Sequence, residues 1–193
     1  MDFKNNNPSD IYSNQWEQLK LAVKDPKHNY HLFALSTIDT NSPNIRTVVL
    51  RNVNENEHLI SFHTDIRSPK FTQITKNPNV SGLFYDIQSR TQIRMIGTAS
   101  TCSDENILRS LWDKLSKDSK ECYMGKIAPS NPLNGETIIN KIERNNPDQG
   151  YKNFTRVDIY VSKMEVLLLH HLGHRRIEFK LDNNGYNHRW LAS

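Results

Sequence analysis

Apolar and polar residues alternate along most of this chain, with short helical interruptions. In HLFALSTIDT (31–40), Phe33, Leu35 and Thr37 fall on one face, and Leu32, Ala34 and Ser36 on the other. A period of two predicts a half-buried strand. IRTVVLRNV (45–53) is β-branched and strand-like, HLISFHTD (58–65) is a third strand, and NVSGLFYDI (79–87) and TQIRMIGTAS (91–100) a fourth and fifth. FTRVDIYVSKMEVLLL (154–169) reads as a long, bent strand, and RRIEFKL (175–181) with HRWLAS (188–193) as a hairpin across 182–185. NSPN (41–44) and NENE (54–57) carry turn chemistry.

Three segments follow the helical period instead. In 11–26, Ile11, Trp16, Leu19 and Val23 share a face and Pro26 closes the run. In 68–78, Ser68 is the predicted cap, Pro69 the first helical residue, and Asn77-Pro78 the stop. In 103–124, Ile107, Leu111 and Leu115 form the stripe behind a Ser103 cap. Residues 1–10 are Asn-rich and expected to fray, and 125–150 mix loop signals with one short helical stretch. The pattern predicts a mainly β protein of six or seven antiparallel strands with peripheral helices. A closed or half-closed barrel would protect so many short strands. No internal linker divides the chain, so 1–193 is read as one domain.

Composition narrows the function. The chain has 193 residues, 36% of them apolar, and 25 basic against 21 acidic residues. The basic residues are dispersed, which argues against a nucleic-acid partner. An N-terminus without an apolar core predicts no signal peptide, and no apolar run is long enough to span a membrane. Cys102 and Cys122 sit in no metal or redox motif and are expected to be reduced, so the expected location is cytoplasmic.

Candidate chemistry gathers between Arg46 and Lys70. A helix N-terminus at Ser68 offers amides and partial positive charge to an anion. Thr64, Arg67, Ser68, Lys70 and, from the preceding strands, Arg46 would make a cradle for a dianion. An ordinary capped helix with solvated charges reads the same residues. Gln92 on the fifth strand suits the edge of a heterocycle, or is simply an exposed strand residue. His170, His171 and His174 lack a completing ligand set, so no metal is expected. No nucleophile motif is present.

Taken together, R-T-V-V-L-R, F-H-T-D-x-R-S-x-K, N-P-x-V-x-x-L-F-Y and R-T-Q-I-R-M-I-G resemble the FMN-binding split barrel of the pyridoxamine 5'-phosphate oxidase family. They resemble its related members more than the oxidase itself. The resemblance is clear over about 29–102 and weaker over 153–193. It implies an antiparallel split barrel of about six strands, an FMN cofactor and hydride transfer at flavin N5. It implies a homodimer with FMN at the subunit interface.

The implied phosphate ligands are Arg46 and Lys70, helped by Thr64 and Ser68, with His63 in the same motif. The backbone of Thr47, Val48, Val49 and Leu50 would run along the flavin, Gln92 would bond its ring, and Arg176 would reach it from the partner subunit. Arg51, His174 and Arg175 would face the substrate. Pro69 stands where the oxidase commonly has Arg, with Arg67 a substitute cation. The oxidase's substrate-phosphate positions fall on Ser110, Lys114 and Asp118, of which only Lys114 keeps its character, and an expected tryptophan is Leu167. A flavin carrier or sensor without turnover is therefore the alternative to an oxidoreductase.

Overall fold

The computed structural model describes residues 7–133, 146, 148–182 and 185–193. Among these, nine strands form one antiparallel sheet: β1 (Leu32–Asp39), β2 (Ser42–Val49), β3 (Asn52–Asn54), β4 (Leu59–Asp65), β5 (Asn79–Asp86), β6 (Thr91–Thr101), β7 (Phe154–Leu168), β8 (Arg175–Asp182) and β9 (Gly185–Leu191). Four helices accompany them: α1 (Pro8–Lys24), α2 (Pro69–Lys76), α3 (Glu105–Asp113) and α4 (Lys117–Glu121).

The strand order is β2-β1-β5-β6-β7-β4-β3. Its two ends are consecutive in sequence, joined by Leu50 and Arg51 alone. The sheet must therefore curl until its ends meet. The Leu50 amide donates to His31 O at 2.9 Å, and the Arg51 amide to Ser61 O at 2.8 Å. Neighbouring residues thus bond to opposite ends of the sheet, and the edges are largely hidden.

β7 creates the split. It pairs with β6 along one side; on the other, β4 takes its first half (154–160) and β8 its second (163–168). At the fork the β6–β7 register jumps between Ile96 and Gly97, leaving Ser162 as an extra residue. Gly97 is required there, because a Cβ would lie 2.2 Å from the Tyr160 carbonyl oxygen. This bulge is the physical form of the bend expected in 154–169.

Inside the barrel the period-two pattern is obeyed. Phe33, Leu35 and Thr37 are buried, and Phe33 stacks on Phe84 at 4.7 Å between ring centres. α1 covers one end with Ile11, Trp16 and Leu19, all fully buried. A smaller cluster of Leu108, Trp112 and Phe154, packed with Tyr123 and Tyr151, builds a roof from α3, α4 and the loops beside them.

Local capping explains where the elements depart from the sequence pattern. The strand expected over 45–53 is broken at Leu50-Arg51 into β2 and β3, and with the expected terminal hairpin present as β8 and β9 the count is nine where six or seven were expected. The turn expected at 41–44 is Thr40-Asn41, with Thr40 at φ 57°; Ser42 already pairs with Asp39. Pro43 is tolerated because β2 ends the sheet. α1 starts at Pro8, since Asn7 Oδ1 accepts the Ser9 amide at 3.1 Å. Residues 7–10 thus form a cap and first turn, while 1–6 lie outside the described residues. The helix expected over 103–124 is two helices. Asp104, not Ser103, caps α3, and Ser116 recaps the chain as α4. The buried stripe of α3 is Leu108 and Trp112, with Ile107 facing out. Residues 134–145, 147 and 183–184 lie outside the described residues, and with them the short helical stretch and the central pair of the last turn.

Gly97→Ala should destabilise the fold by about 2–3 kcal/mol, because the backbone at the bulge has to move to admit a methyl group. Urea unfolding followed by circular dichroism measures this; an unchanged midpoint would contradict the close approach.

Candidate functional site

The curling of the sheet brings the end of β2 beside the end of β4, and α2 begins a few residues later. A cavity of about 320 Å³ opens at this junction. Its floor is Thr47, Val48, Val49, Arg51, His63, Thr64, Asp65 and Lys70, and its roof Leu115, Ser119, Cys122, Tyr123 and Pro129. Val48 and Leu50 point into the core, so near this cavity they offer their backbone only, while Thr47 and Val49 point outward. β2 ends the strand order, so the main chain on its free edge belongs to no ladder.

Among the described residues, two cations at this junction donate their side-chain hydrogen bonds to neutral acceptors. Arg46 lies just behind the floor. Its Nη1 donates to Thr37 Oγ1 at 2.6 Å and Leu35 O at 3.3 Å, and its Nη2 to Gln73 Oε1 at 3.0 Å. The Lys70 ammonium donates to Thr64 Oγ1 at 3.3 Å. Burial lowers the pKa of both; for Lys70 the nearby Arg46 charge lowers it further, partly opposed by Asp65. Two like charges held out of water with hydroxyl, amide and carbonyl partners form a site that favours an anion. The donor set fits a phosphate.

Ser68 occupies the cap of α2 without capping it. Its hydroxyl donates to Asp65 O at 2.7 Å and meets Thr64 Oγ1 at 3.2 Å. Pro69 is the first helical residue, as expected. Arg67 is not turned to the cradle. Its guanidinium forks onto Asp65, Nε to Oδ1 at 3.0 Å and Nη2 to Oδ2 at 2.6 Å. Its Nη1 donates to Gly125 O at 2.8 Å. It ties the roof to the end of β4 instead of replacing the cation lost at Pro69.

His63 lines the floor with its ring edge against Phe154 and its buried Nδ1 without a hydrogen-bond partner among the described residues. Burial first, then the charges of Arg51 and Arg156, push its pKa down to about 4. Arg156, opposite His63 across the β4–β7 ladder, is itself paired with Asp158 at 2.7 Å. His63 is therefore a neutral imidazole near pH 7.

The remaining expected residues lie elsewhere in the chain. Gln92, Leu167 and Arg176 form one row across β6, β7 and β8 on the outer sheet face. The neighbouring row runs from Arg94 through Leu83 and Ala34 to Thr47 at the cavity. Gln92 and Arg176 thus share a face with the cavity without lining it. Arg176 Nε lies 3.7 Å from Glu165 Oε1. His174 Nδ1 accepts the His170 amide at 3.2 Å, and Arg175 stacks on Trp190 at 4.8 Å. Ser110, Lys114 and Asp118 are exposed and off the wall. The roof residues that do line it include Leu115 and Ser119, one position further on. The break between α3 and α4 sets that phase, and it left no mark in the apolar spacing.

Comparison with known proteins gives this geometry its context. Residues 13–103 match the family model described as "Pyridoxamine 5'-phosphate oxidase, FMN-binding domain". The chain is 32% identical over 89 residues to a pyridoxine/pyridoxamine 5'-phosphate oxidase of Rhodopseudomonas palustris (strain TIE-1), covering 46% of this chain and 41% of that one. It is 33% identical over 86 residues to the enzyme of the same name from Psychrobacter cryohalolentis, covering 44% and 38%. The chain thus matches less than half the length of these relatives. Among solved structures, a pyridoxamine 5'-phosphate oxidase-related, FMN-binding protein from Nostoc punctiforme superposes with a TM-score of 0.76 at 20% identity, covering 98% of this chain and all of that one. PhzG from Burkholderia lata 383, solved with tetrahydrophenazine-1-carboxylic acid, gives 0.73 at 17% identity, covering 100% and 95%. Residues 13–103 therefore match the FMN-binding domain of the pyridoxamine 5'-phosphate oxidase family, in a chain that shares its fold with an FMN-binding protein related to that oxidase.

Proposed function

We propose that this protein is a homodimeric, FMN-dependent oxidoreductase. The observation that carries the reading is the pair Arg46 and Lys70, two partly buried cations whose hydrogen-bond acceptors among the described residues are neutral. They would hold the FMN phosphate, with the Thr64 and Ser68 hydroxyls beside them. The free edge of β2 at Thr47–Leu50 would lie along the cofactor. Bound FMN supplies hydride transfer at its N5. The chain's own part is to anchor the phosphate, present uncharged groups such as His63, and exclude water beneath the roof.

A second copy of the chain is supported by the outer sheet face. Leu32, Ile45, Leu83 and Tyr85 are each 40–67% exposed there, more apolar surface than a strand face normally leaves to water. Gln92 and Arg176 stand on the same face, so a partner packed on it would bring a second set of these groups near the cavity. Among the described residues no helix is long and apolar enough to cross a membrane, and both cysteines are free, in keeping with a reducing cytoplasm.

The alternative is a flavin carrier without turnover. It is favoured by one observation, that Ser110, Lys114 and Asp118 stand off the cavity wall. Reduction of the bound flavin decides between the two. Purified protein should show flavin absorption bands, and a screened electron donor should bleach them faster than it bleaches free FMN. Yellow protein that no donor reduces would favour the carrier.

Arg46→Ala combined with Lys70→Ala should weaken FMN binding by about 3–5 kcal/mol, the size of two charge-assisted hydrogen bonds. Fluorescence titration of apoprotein with FMN reads it. Retained affinity would move the phosphate elsewhere.

His63 gives the fold an acid sensitivity. In the unfolded chain it takes a proton near pH 6.5, and in the fold only near 4. The unfolded state therefore binds more protons between these values, so stability falls as pH drops from 6.5 to 4, by about 3 kcal/mol at most. Above 6.5 this contribution is constant. His63→Gln should flatten that part of the stability–pH curve; an unchanged slope would mean that His63 titrates normally.

A further inference from the structure

The roof of the cavity is held by two residues that do not line it. The Arg67 guanidinium grips Asp65 on one side, with Nε to Oδ1 at 3.0 Å and Nη2 to Oδ2 at 2.6 Å. On the other it grips roof carbonyls, with Nη1 to Gly125 O at 2.8 Å and Nη2 to Tyr123 O at 3.4 Å. Asn153 is buried and meets the same Tyr123 carbonyl, its Nδ2 donating at 2.8 Å. Asn153 is anchored beside Arg67 in turn, because its own carbonyl accepts the Ile66 amide at 2.8 Å. Two side chains from distant parts of the chain thus converge on one backbone carbonyl.

That carbonyl belongs to the aromatic residue of the roof. Trp112 and Phe154 meet the Tyr123 ring edge-on, at 5.8 and 5.2 Å between ring centres. Burial pushes the phenol pKa up; the Arg51 charge opposes this, and the Cys122 thiol and Asp65 add smaller increments. Tyr123 therefore stands within the field of Arg51, which lies beyond the end of β2, away from Arg46. A cofactor with its phosphate on Arg46 and Lys70 and its length along β2 would bring its ring toward that end. Asp65 accounts for the commitment of Arg67. Its carboxylate lines the floor together with Lys70, where, uncovered, it would repel a phosphate. The fork onto Arg67 neutralises it and makes it the fixed end of a brace.

We propose, on the FMN reading above, that Arg67 and Asn153 are positioning residues for the flavin ring: they set Tyr123 over the ring through its backbone carbonyl, and Arg67 takes no part in holding the phosphate. Support of this kind acts by pre-organising the groups that touch the ligand.

A ligand without phosphate separates the two roles. Riboflavin has the ring and ribityl chain of FMN and lacks the phosphate. Arg67→Ala combined with Asp65→Asn removes the fork without baring a carboxylate, and the substitution at 65 keeps an acceptor for the backbone amide at 67. Titrated into apoprotein of this variant, FMN and riboflavin should each bind at least fivefold more weakly, by factors that agree within threefold. Asn153→Ala alters no charge and should show the same pattern, at least threefold for each flavin. Lys70→Ala should instead weaken FMN at least tenfold and riboflavin less than threefold. At saturating FMN both roof variants should lose the resolved shoulders of the main flavin band, because water reaches the ring; lower fold stability alone would leave the saturated spectrum as it is. Amide exchange should quicken at 122–125 while β4 and β7 keep their protection. A loss confined to FMN would make Arg67 a phosphate ligand and overturns the proposal. So do unchanged affinities for both flavins, riboflavin that the unaltered protein does not bind, or faster exchange throughout β4 and β7, which would make the contacts structural only. If the unaltered protein binds no FMN, or Lys70→Ala spares FMN, the cofactor reading itself fails, and those two titrations tell that failure apart from this one.

Discussion

Leu50 and Arg51 hold the two ends of the sheet together by bonding in opposite directions, one amide to His31 O and the next to Ser61 O. Almost everything else about the cavity depends on that closure. It sets the end of β2 beside the end of β4. It places Arg46 and Thr47–Val49 within reach of Thr64 and of Lys70 in the first turn of α2. It leaves the free edge of β2 along the opening. It also sends the Arg51 side chain to the floor, because the chain changes sheet end at this residue. The fork in β7, with its bulge at Ser162 and Gly97, gives β8 and β9 their place on the outer face.

The electrostatics follow from how the closure distributes its cations. Arg67 and Arg156 each sit two residues from a carboxylate and pair with it, so they brace structure. Arg46 and Lys70 come together from distant elements and share only neutral acceptors. The desolvation that lowers the pKa of both is relieved when an anion arrives. The site is therefore least comfortable when empty of charge, an arrangement suited to ligand binding and not to stability.

Arg67 shows where sequence reasoning stops. In F-H-T-D-x-R-S-x-K it reads as another cation beside a helix start, suited to replace the charge lost at Pro69. Its fork onto Asp65, and its bond to the Gly125 carbonyl from a loop 58 residues away, are visible only in the fold. The roof was illegible for a similar reason. Spacing at Ile107, Leu111 and Leu115 suggests one long helix, but the Asp104 and Ser116 caps break it in two and turn Leu108 and Trp112 inward. A hydrogen bond made by one side chain outweighs a weak apolar stripe, and periodicity does not record it.

The sequence alone determined the barrel strands, since alternation at Phe33, Leu35 and Thr37 and the Gly97 position are local consequences of pleat and sterics. It also determined the start of α2, through Ser68 and Pro69, and the spacing that matches the FMN-binding domain model. Only the tertiary structure decided which cations remain without a carboxylate, which residues line the roof, and where Gln92 and Arg176 stand relative to the cradle. Those depend on contacts between segments far apart in the chain. Charge pairing and cavity shape are properties of distance in space, and sequence spacing carries them only within a single element.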